Sequence, residues 1–225
     1  MAHSDQYTLS RRLVAEGLGT AFLVAAVVGS GIMGEQLAAG NDAMALLANT
    51  LATGAALIVL ILIFGSISGA HFNPVVSLSF ALQKELKWTE CMIYSVVQIG
   101  GGICGAMLAH LMFDLPVLME ASNTRTGLGI WTGEVVASFA LLAAILGCLR
   151  NRPDAVPYAV GLVIMAGYWY TSSTSFANPA VTIARSFSDT FSGIRPEDVP
   201  AFIVLQAIGA VLATLLFRWF YSGKL

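Results

Sequence analysis

Charge is scarce in this sequence. Asp, Glu, Lys and Arg make up 11% of its 225 residues, and the net charge is −2. A nucleic-acid partner needs a basic face, so none is expected. An ordinary soluble domain is about a quarter charged, so that class is excluded as well. Cysteine is nearly absent. Cys91, Cys104 and Cys148 fall inside apolar runs at no ligand spacing, and they read as small packing residues rather than as a disulfide or metal set. No His-Glu-x-x-His stretch occurs, and no nucleophile stands out beside a base. The chain is therefore expected to be no enzyme and to need no cofactor or metal. Strict alternation of apolar and polar residues is also missing, which excludes a β-barrel.

What is present is apolar length. Hydrophobic residues reach 57% and mean hydropathy is +0.78. Six runs, at 13–33, 43–66, 91–113, 130–149, 156–174 and 199–220, come close to the length that crosses a bilayer, about 20 residues. The first follows Arg11-Arg12 as a secretion signal would. Its length, the Glu16 inside it and the want of a clear cleavage site make it a span instead. The chain is thus read as one transmembrane domain over 1–225, all-α, with the lipid bilayer as its surroundings. Arg11, Arg12, Lys84, Lys87, Arg150, Arg152, Arg218 and Lys224 fall in one set of loops and tails, and only Arg125, Arg185 and Arg195 in the other. That bias places both termini in the cytoplasm. The short tails suggest a bacterial inner membrane.

Two further segments are too short to span. Asn73-Pro74-Val75 and Asn178-Pro179-Ala180 lie about a hundred residues apart, each after a long apolar run and a cluster of small or polar residues. Asn is a strong helix N-cap and Pro is favoured at the first helical position, so each pair starts a helix, over 74–82 and 179–187. Helices that begin at membrane depth need something polar at their N-termini.

The chain repeats itself. Glu16-x-x-x-Thr20-x-x-Leu23 is echoed by Glu134-x-x-x-Ser138-x-x-Leu141, and the first Asn-Pro by the second. Repeat one covers about 11–113 and repeat two about 129–220. Each holds three spans, an odd number, so the copies insert in opposite senses. The fold class expected is six transmembrane helices plus two re-entrant half-helices in an inverted 3+3 repeat. Asn73 and Asn178 then meet near the midplane. Gly17-x-x-x-Ala21, Gly65-x-x-x-Gly69, Gly101-x-x-x-Gly105 and Gly209-x-x-x-Ala213 are small-residue pairs that let helices approach closely.

Chemistry follows from that meeting point. Each Asn keeps its carbonyl for local backbone and turns amide donors to the lumen. Gly69, Ala70 and His71, with Ser173 and Thr174, cannot be helical just before a cap, so their carbonyls form a ladder of acceptors. Two half-helix dipoles aim their positive ends at the centre, which favours neutral solutes over cations. Glu16 and Glu134 lie within spans. They are either a proton relay or acceptors for the loop N–H groups, and one copy per repeat favours the second role. His71 reads as a structural residue at the lumen edge rather than a switch. Gln98 and Gln206 are polar within spans and suit hydrogen bonds between helices.

The two Asn-Pro half-helices, the repeated Glu/Thr opening and the six-span layout resemble the aquaporin and aquaglyceroporin (major intrinsic protein) family over essentially the whole chain. Ser68-Gly69-Ala70-His71-Phe72-Asn73-Pro74 is close to its first signature. The resemblance implies a homotetramer with one pore per subunit. It maps the selectivity constriction to Thr53, Ala166, Ser175 and Val181. Where most members carry an arginine, this chain has Val181, and it lacks the usual ring on the second span and the frequent His on the fifth. The constriction is expected to be wide, with no bulky ring and no arginine. Arg185, one turn further along, either reaches the outer mouth or binds backbone carbonyls and the interface. The pair that separates water from glycerol conductors maps to Phe202 and Ile203 and fits neither type. The resemblance therefore implies a passive channel for small neutral solutes: glycerol, urea, neutral metalloids such as arsenous acid, and some water. It is closest to the arsenic-associated bacterial branch. The alternatives are a water-selective aquaporin or a secondary transporter with discontinuous helices, which would usually place a carboxylate beside its site.

Overall fold

The computed structural model describes residues 6–222. His3 and Lys224 lie outside them. The described residues form eight α-helices and no strand: α1 (Leu9–Leu37), α2 (Asp42–Ser68), α3 (Pro74–Leu82), α4 (Trp88–Met112), α5 (Leu128–Asn151), α6 (Val156–Tyr170), α7 (Pro179–Arg185) and α8 (Val199–Tyr221). Helices α1, α2, α4, α5 and α8 are long and apolar enough to cross a membrane. Helix α6, the remaining span, is shorter than the run 156–174 implies. Its 15 residues reach about 22 Å. A 3₁₀ turn, Pro153–Ala155, leads into it. The helix ends because Thr171 turns extended and folds its hydroxyl onto the Gly167 carbonyl at 2.7 Å. Four more hydroxyl residues follow, and such side chains compete with helical backbone bonds.

The two halves pair in the same way. Helix α1 packs on α4 and α5 on α8, while α2 against α6 joins the halves. Glycine sets the closeness of both pairs. A Cβ on Gly101 would collide with the Gly17 carbonyl oxygen, and one on Gly209 with that of Val135. In lipid, such backbone proximity and the dispersion it allows hold helices together, since apolar side chains gain little by leaving hydrocarbon. Gly65-x-x-x-Gly69 differs from its expected role. A Cβ on Gly65 would meet only its own helix, at 4.0 Å. Gly69 instead caps α2 with a left-handed φ of 90°, a conformation glycine adopts without steric cost.

One end of the bundle carries Arg12, Lys84, Lys87, Arg150, Arg152 and Arg218 and is called the basic end. There Arg12 meets both carboxylate oxygens of Glu90 at 3.1 Å, tying α1 to α4, and Arg150 stacks on Tyr221 of α8. The opposite, looped end carries residues 113–127 and 186–198. Half-helices α3 and α7 touch each other inside the bundle. Their side chains Val75, Val76, Phe80, Val181 and Ala184 share one buried cluster with Leu23, Val24, Val27 and Val28 of α1. Both half-helices pack on α4 and α8, and α7 also touches α1.

Candidate functional site

Each half-helix starts at its asparagine. The Asn73 Oδ1 accepts from the Val75 N–H at 3.0 Å. The Asn178 Oδ1 accepts from Ala180 and Val181 at 2.9 and 3.3 Å. Proline at the first helical position leaves one fewer N–H to satisfy. The amides then cross between halves. Asn73 Nδ2 donates to the Ala177 carbonyl at 2.7 Å, and Asn178 Nδ2 to the Phe72 carbonyl at 2.8 Å. An amide has two hydrogens, so one on each side chain remains. Both residues border a common cavity.

The loops leading to these caps are strained alike. Ala70, Phe72, Thr174, Ser175 and Ala177 all take φ between 48° and 61°. A left-handed backbone costs a non-glycine residue about 1–2 kcal/mol. Buried carboxylates hold it. Glu16 accepts from the N–H groups of His71 and Phe72 at 2.9 and 2.7 Å, from the Ser68 hydroxyl at 2.6 Å and from Gln98 Nε2 at 2.8 Å. Glu134 accepts from the N–H groups of Phe176 and Ala177 at 2.9 and 3.0 Å and from Gln206 Nε2. Hydrogen bonds to a charged acceptor are about twice as strong as neutral ones. Neither glutamate borders the cavity. Ser68 and Ser173 brace the loops in parallel, accepting from the N–H groups of Ala70 and Ser175 at 3.1 and 3.2 Å.

The cavity holds about 960 Å³. It runs from Lys84, Lys87 and Trp88 at the basic end, past His71 and both asparagines, to Thr53, Tyr168, Ser175, Val181 and Arg185. One wall is apolar side chain, from Leu57, Ile61, Leu141, Ile145, Val160 and Ile164. The other is the polar loops and the two asparagines. The first loop brings Gly69, Ala70 and His71 to this wall. In the second, Ser175, Phe176 and Ala177 border the cavity, while Ser173 and Thr174, expected in the ladder of acceptors, do not. His71 is braced by Ser77 at Nδ1, 3.0 Å away, and stacks on Phe80.

One sequence expectation about the far end is corrected. Ala166 faces away from the cavity and is exposed. The wall of α6 is Val160, Ile164 and Tyr168, successive i, i+4 positions of one face. Tyr168 brings a ring to the cavity, and its hydroxyl donates to Thr53 Oγ1 at 3.3 Å. Of the two places the sequence leaves open for Arg185, the cavity mouth and the backbone carbonyls, its side chain touches both. Arg185 borders the same cavity, is 2% exposed, donates from Nε to the Ser192 carbonyl and lays its guanidinium 3.4 Å from the Phe176 ring centre. Helical side chains lean toward the N-terminus, so a long residue covers the turn before its own Cα.

Beyond the bundle, residues 117–123 run along the start of the second loop region. Met119 and Ala121 N–H donate to the Phe187 and Ser186 carbonyls at 3.1 and 3.0 Å. The Asp189 carboxylate, at the loop surface, accepts from the Ser122 N–H and hydroxyl, which holds it below the usual carboxylate range.

Comparison at the level of sequence families matches residues 3–164 and 152–225 to the family described as Major intrinsic protein. The chain belongs to that family. Among curated relatives it is 57% identical over 215 residues to aquaglyceroporin AqpS of Rhizobium meliloti (strain 1021), covering 96% of this chain and 92% of that one. It is 28% identical to aquaporin NIP2-1 of Zea mays over 95% of this chain and 71% of that one. Among solved structures, the aquaglyceroporin from Plasmodium falciparum superposes with a TM-score of 0.76 at 21% identity, covering 96% of each chain. That likeness bears on the fold alone. As a major intrinsic protein with several apolar spans, this chain is a multi-pass membrane protein.

Within the family frame, sequence reasoning missed Tyr168 and Phe176. The spacing Val160, Ile164, Tyr168 was the available signal for the first. Phe176 had none, since its ring matters through Arg185, which reaches it only in three dimensions.

Proposed function

We propose that this chain is a passive, gradient-driven channel for small uncharged solutes: glycerol, urea and neutral hydroxylated metalloids such as arsenous acid, with some water alongside. The observation that supports this reading is the two-faced cavity. A hydroxylated solute can lay its carbon or metalloid side on Leu57, Ile61 and Ile145 and exchange its water hydrogen bonds for the asparagine amides and loop carbonyls opposite. Both half-helix N-termini converge there, with the positive ends of their dipoles inward, which disfavours cations. Residues Asn73, Pro74, Val75, Asn178, Pro179 and Ala180 form the central site in this reading, and Glu16 and Glu134 fix the loops that complete it. Thr53, Ser175 and Val181 contribute to the narrowing near the looped end. The basic end faces the cytoplasm of a bacterium, by the bias of Lys and Arg. The chain assembles as a homotetramer with one cavity per subunit.

Purified protein in liposomes tests this by stopped-flow light scattering, with arsenous acid followed by uptake. Glycerol, urea and arsenous acid should enter well above the rate for empty vesicles, without saturation and without an ion gradient. Fast water with solute rates equal to those of empty vesicles would make the chain a water-selective aquaporin. Saturable uptake that needs an ion gradient would make it a transporter.

A further inference from the structure

Among the described residues, Arg185 is the one buried cation bordering the cavity near its looped end, and no carboxylate lies within ion-pair distance of it. The ion pairs among the described residues join Arg12 to Glu90, Arg152 to Asp154 and Arg195 to Asp198. An ionisable group at membrane depth is costly unless paired or put to use. Arg185 has instead the Ser192 carbonyl on Nε and the face of Phe176. Phe176 is itself wedged. Phe202 meets it edge-on at 5.1 Å, and a second guanidinium, that of Arg125, lies 4.9 Å from its centre. Arg125 is pinned by the Gly193 carbonyl at 2.7 Å, and its backbone N–H by Asp198 at 2.6 Å. The ring thus fixes Arg185 in one pose, with a second positive charge nearby. No hydrogen bond among the described residues uses the terminal nitrogens of Arg185, on a side chain that borders the cavity. Tyr168 and Thr53 border the same end, joined by their hydroxyls.

We infer that Arg185 is the fixed cation of a constriction at this end, displaced one helical turn from the position that Val181 takes, with Phe176 as its positioning residue and Tyr168 limiting the bore. The constriction passes neutral hydroxylated solutes by offering guanidinium and hydroxyl groups together, and it rejects cations. Like-charge repulsion at about 6 Å and an effective dielectric of about 20 reduces cation passage on the order of a hundredfold. This rests on the channel reading above.

The test uses the full-length protein in liposomes, in four forms: unaltered, Arg185→Leu, Arg185→Gln, and the double change Val181→Arg with Arg185→Leu. Glycerol and xylitol permeabilities are measured together with sodium leak, each normalised to protein recovered as a single oligomeric species. Gln keeps a donor for the Ser192 carbonyl without the charge, so it separates bracing of the loop from the field. Loss of charge in either single variant should raise sodium leak about tenfold or more, and Leu should raise the xylitol-to-glycerol ratio about threefold. The double change should bring the leak back down. If Arg185→Gln reconstitutes and stays as tight to sodium as the unaltered protein, Arg185 only braces the loop and the inference is overturned. The same holds for Arg185→Leu if both leak and polyol ratio are unchanged. Unaltered protein that passes no glycerol overturns the channel reading instead, a separate result.

Discussion

Asn73 and Asn178 each hold the other's loop. The Asn73 amide donates to the carbonyl of Ala177, the residue just before Asn178, and the Asn178 amide to that of Phe72, just before Asn73. One side chain therefore caps its own half-helix through oxygen and ties down the opposite repeat through nitrogen. Removing it breaks both.

Asn73→Ala is expected to lose about 1 kcal/mol for the missing cap, and about 1–3 kcal/mol more for a buried carbonyl left without its donor. Asn73→Asp keeps the acceptor that caps and loses the donor that crosses. Both variants should unfold at lower temperature in detergent, Ala more than Asp. An Asp variant as stable as the unaltered protein would show that the crossing bond contributes nothing.

Glu134→Gln keeps size and one acceptor but sets an N–H₂ against the N–H of Ala177. Gln206 can adapt, because its Oε1 is buried without a partner and can turn toward the new amide. The backbone N–H cannot turn. The variant should lose about 1–3 kcal/mol, and adding Gln206→Ala to it should cost less than Gln206→Ala alone. A double-mutant cycle of thermal midpoints reads this coupling, and strict additivity would dismiss it.

Neighbouring glycines on α4 should respond in opposite directions. A Cβ at Gly101 meets the Gly17 carbonyl, whereas one at Gly100 meets nothing within 4 Å. Gly101→Ala should force α1 and α4 apart and cost about 1–3 kcal/mol. Gly100→Ala should be neutral or stabilise by up to about 1 kcal/mol through helix propensity. Thermal unfolding in detergent separates the two.

Helix α6 offers a test by position. Ile164 borders the cavity and Ala166 faces outward. Ile164→Trp should sharply reduce glycerol flux per folded subunit, and Ala166→Trp should leave the ratio of glycerol to water permeability as it is. Equal effects from both would reopen the assignment of the α6 wall.

The pairing of Asp189 with Ser122 predicts a pH dependence at the looped end. Its folded-state pKa is depressed by two hydrogen bonds to the carboxylate. The stabilisation it gives is therefore present above the unfolded value of about 4 and is lost as pH falls through the lower folded value. Hydrogen-exchange protection over residues 117–123 should exceed that of Asp189→Asn at neutral pH, and the two should converge once pH falls below the folded value. A difference that persists in strong acid would point to another tie.

Much of the fold is legible because it follows local rules. Asn73-Pro74 and Asn178-Pro179 announce helix starts through cap and proline chemistry alone, and the six apolar runs follow from length. The repeated Glu16 and Glu134 show that the halves are related. The far end of the cavity is less legible, for two physical reasons. Helix α6 stops at Tyr170 because a hydroxyl-rich stretch leaves the helix early, and the mapping of Ala166 by resemblance cannot sense that change of register. Arg185 is placed by the lean of its long side chain and by a ring nine residues before it, and neither is a spacing rule. Gly65-x-x-x-Gly69 shows the converse: a pattern that fits helix contacts serves here to end a helix.

Because Ala177 and Phe72 carry the carbonyls that the two asparagines grasp, the interior conduit has no existence in a half-made molecule. Everything up to Tyr170 can be threaded into lipid by a ribosome still at work, yet that nascent product lacks the whole wall from Ser175 to Arg185. The permeation route closes into shape only as the last quarter of the chain arrives, so translation cut short leaves a bundle of greasy rods instead of a hole in the membrane.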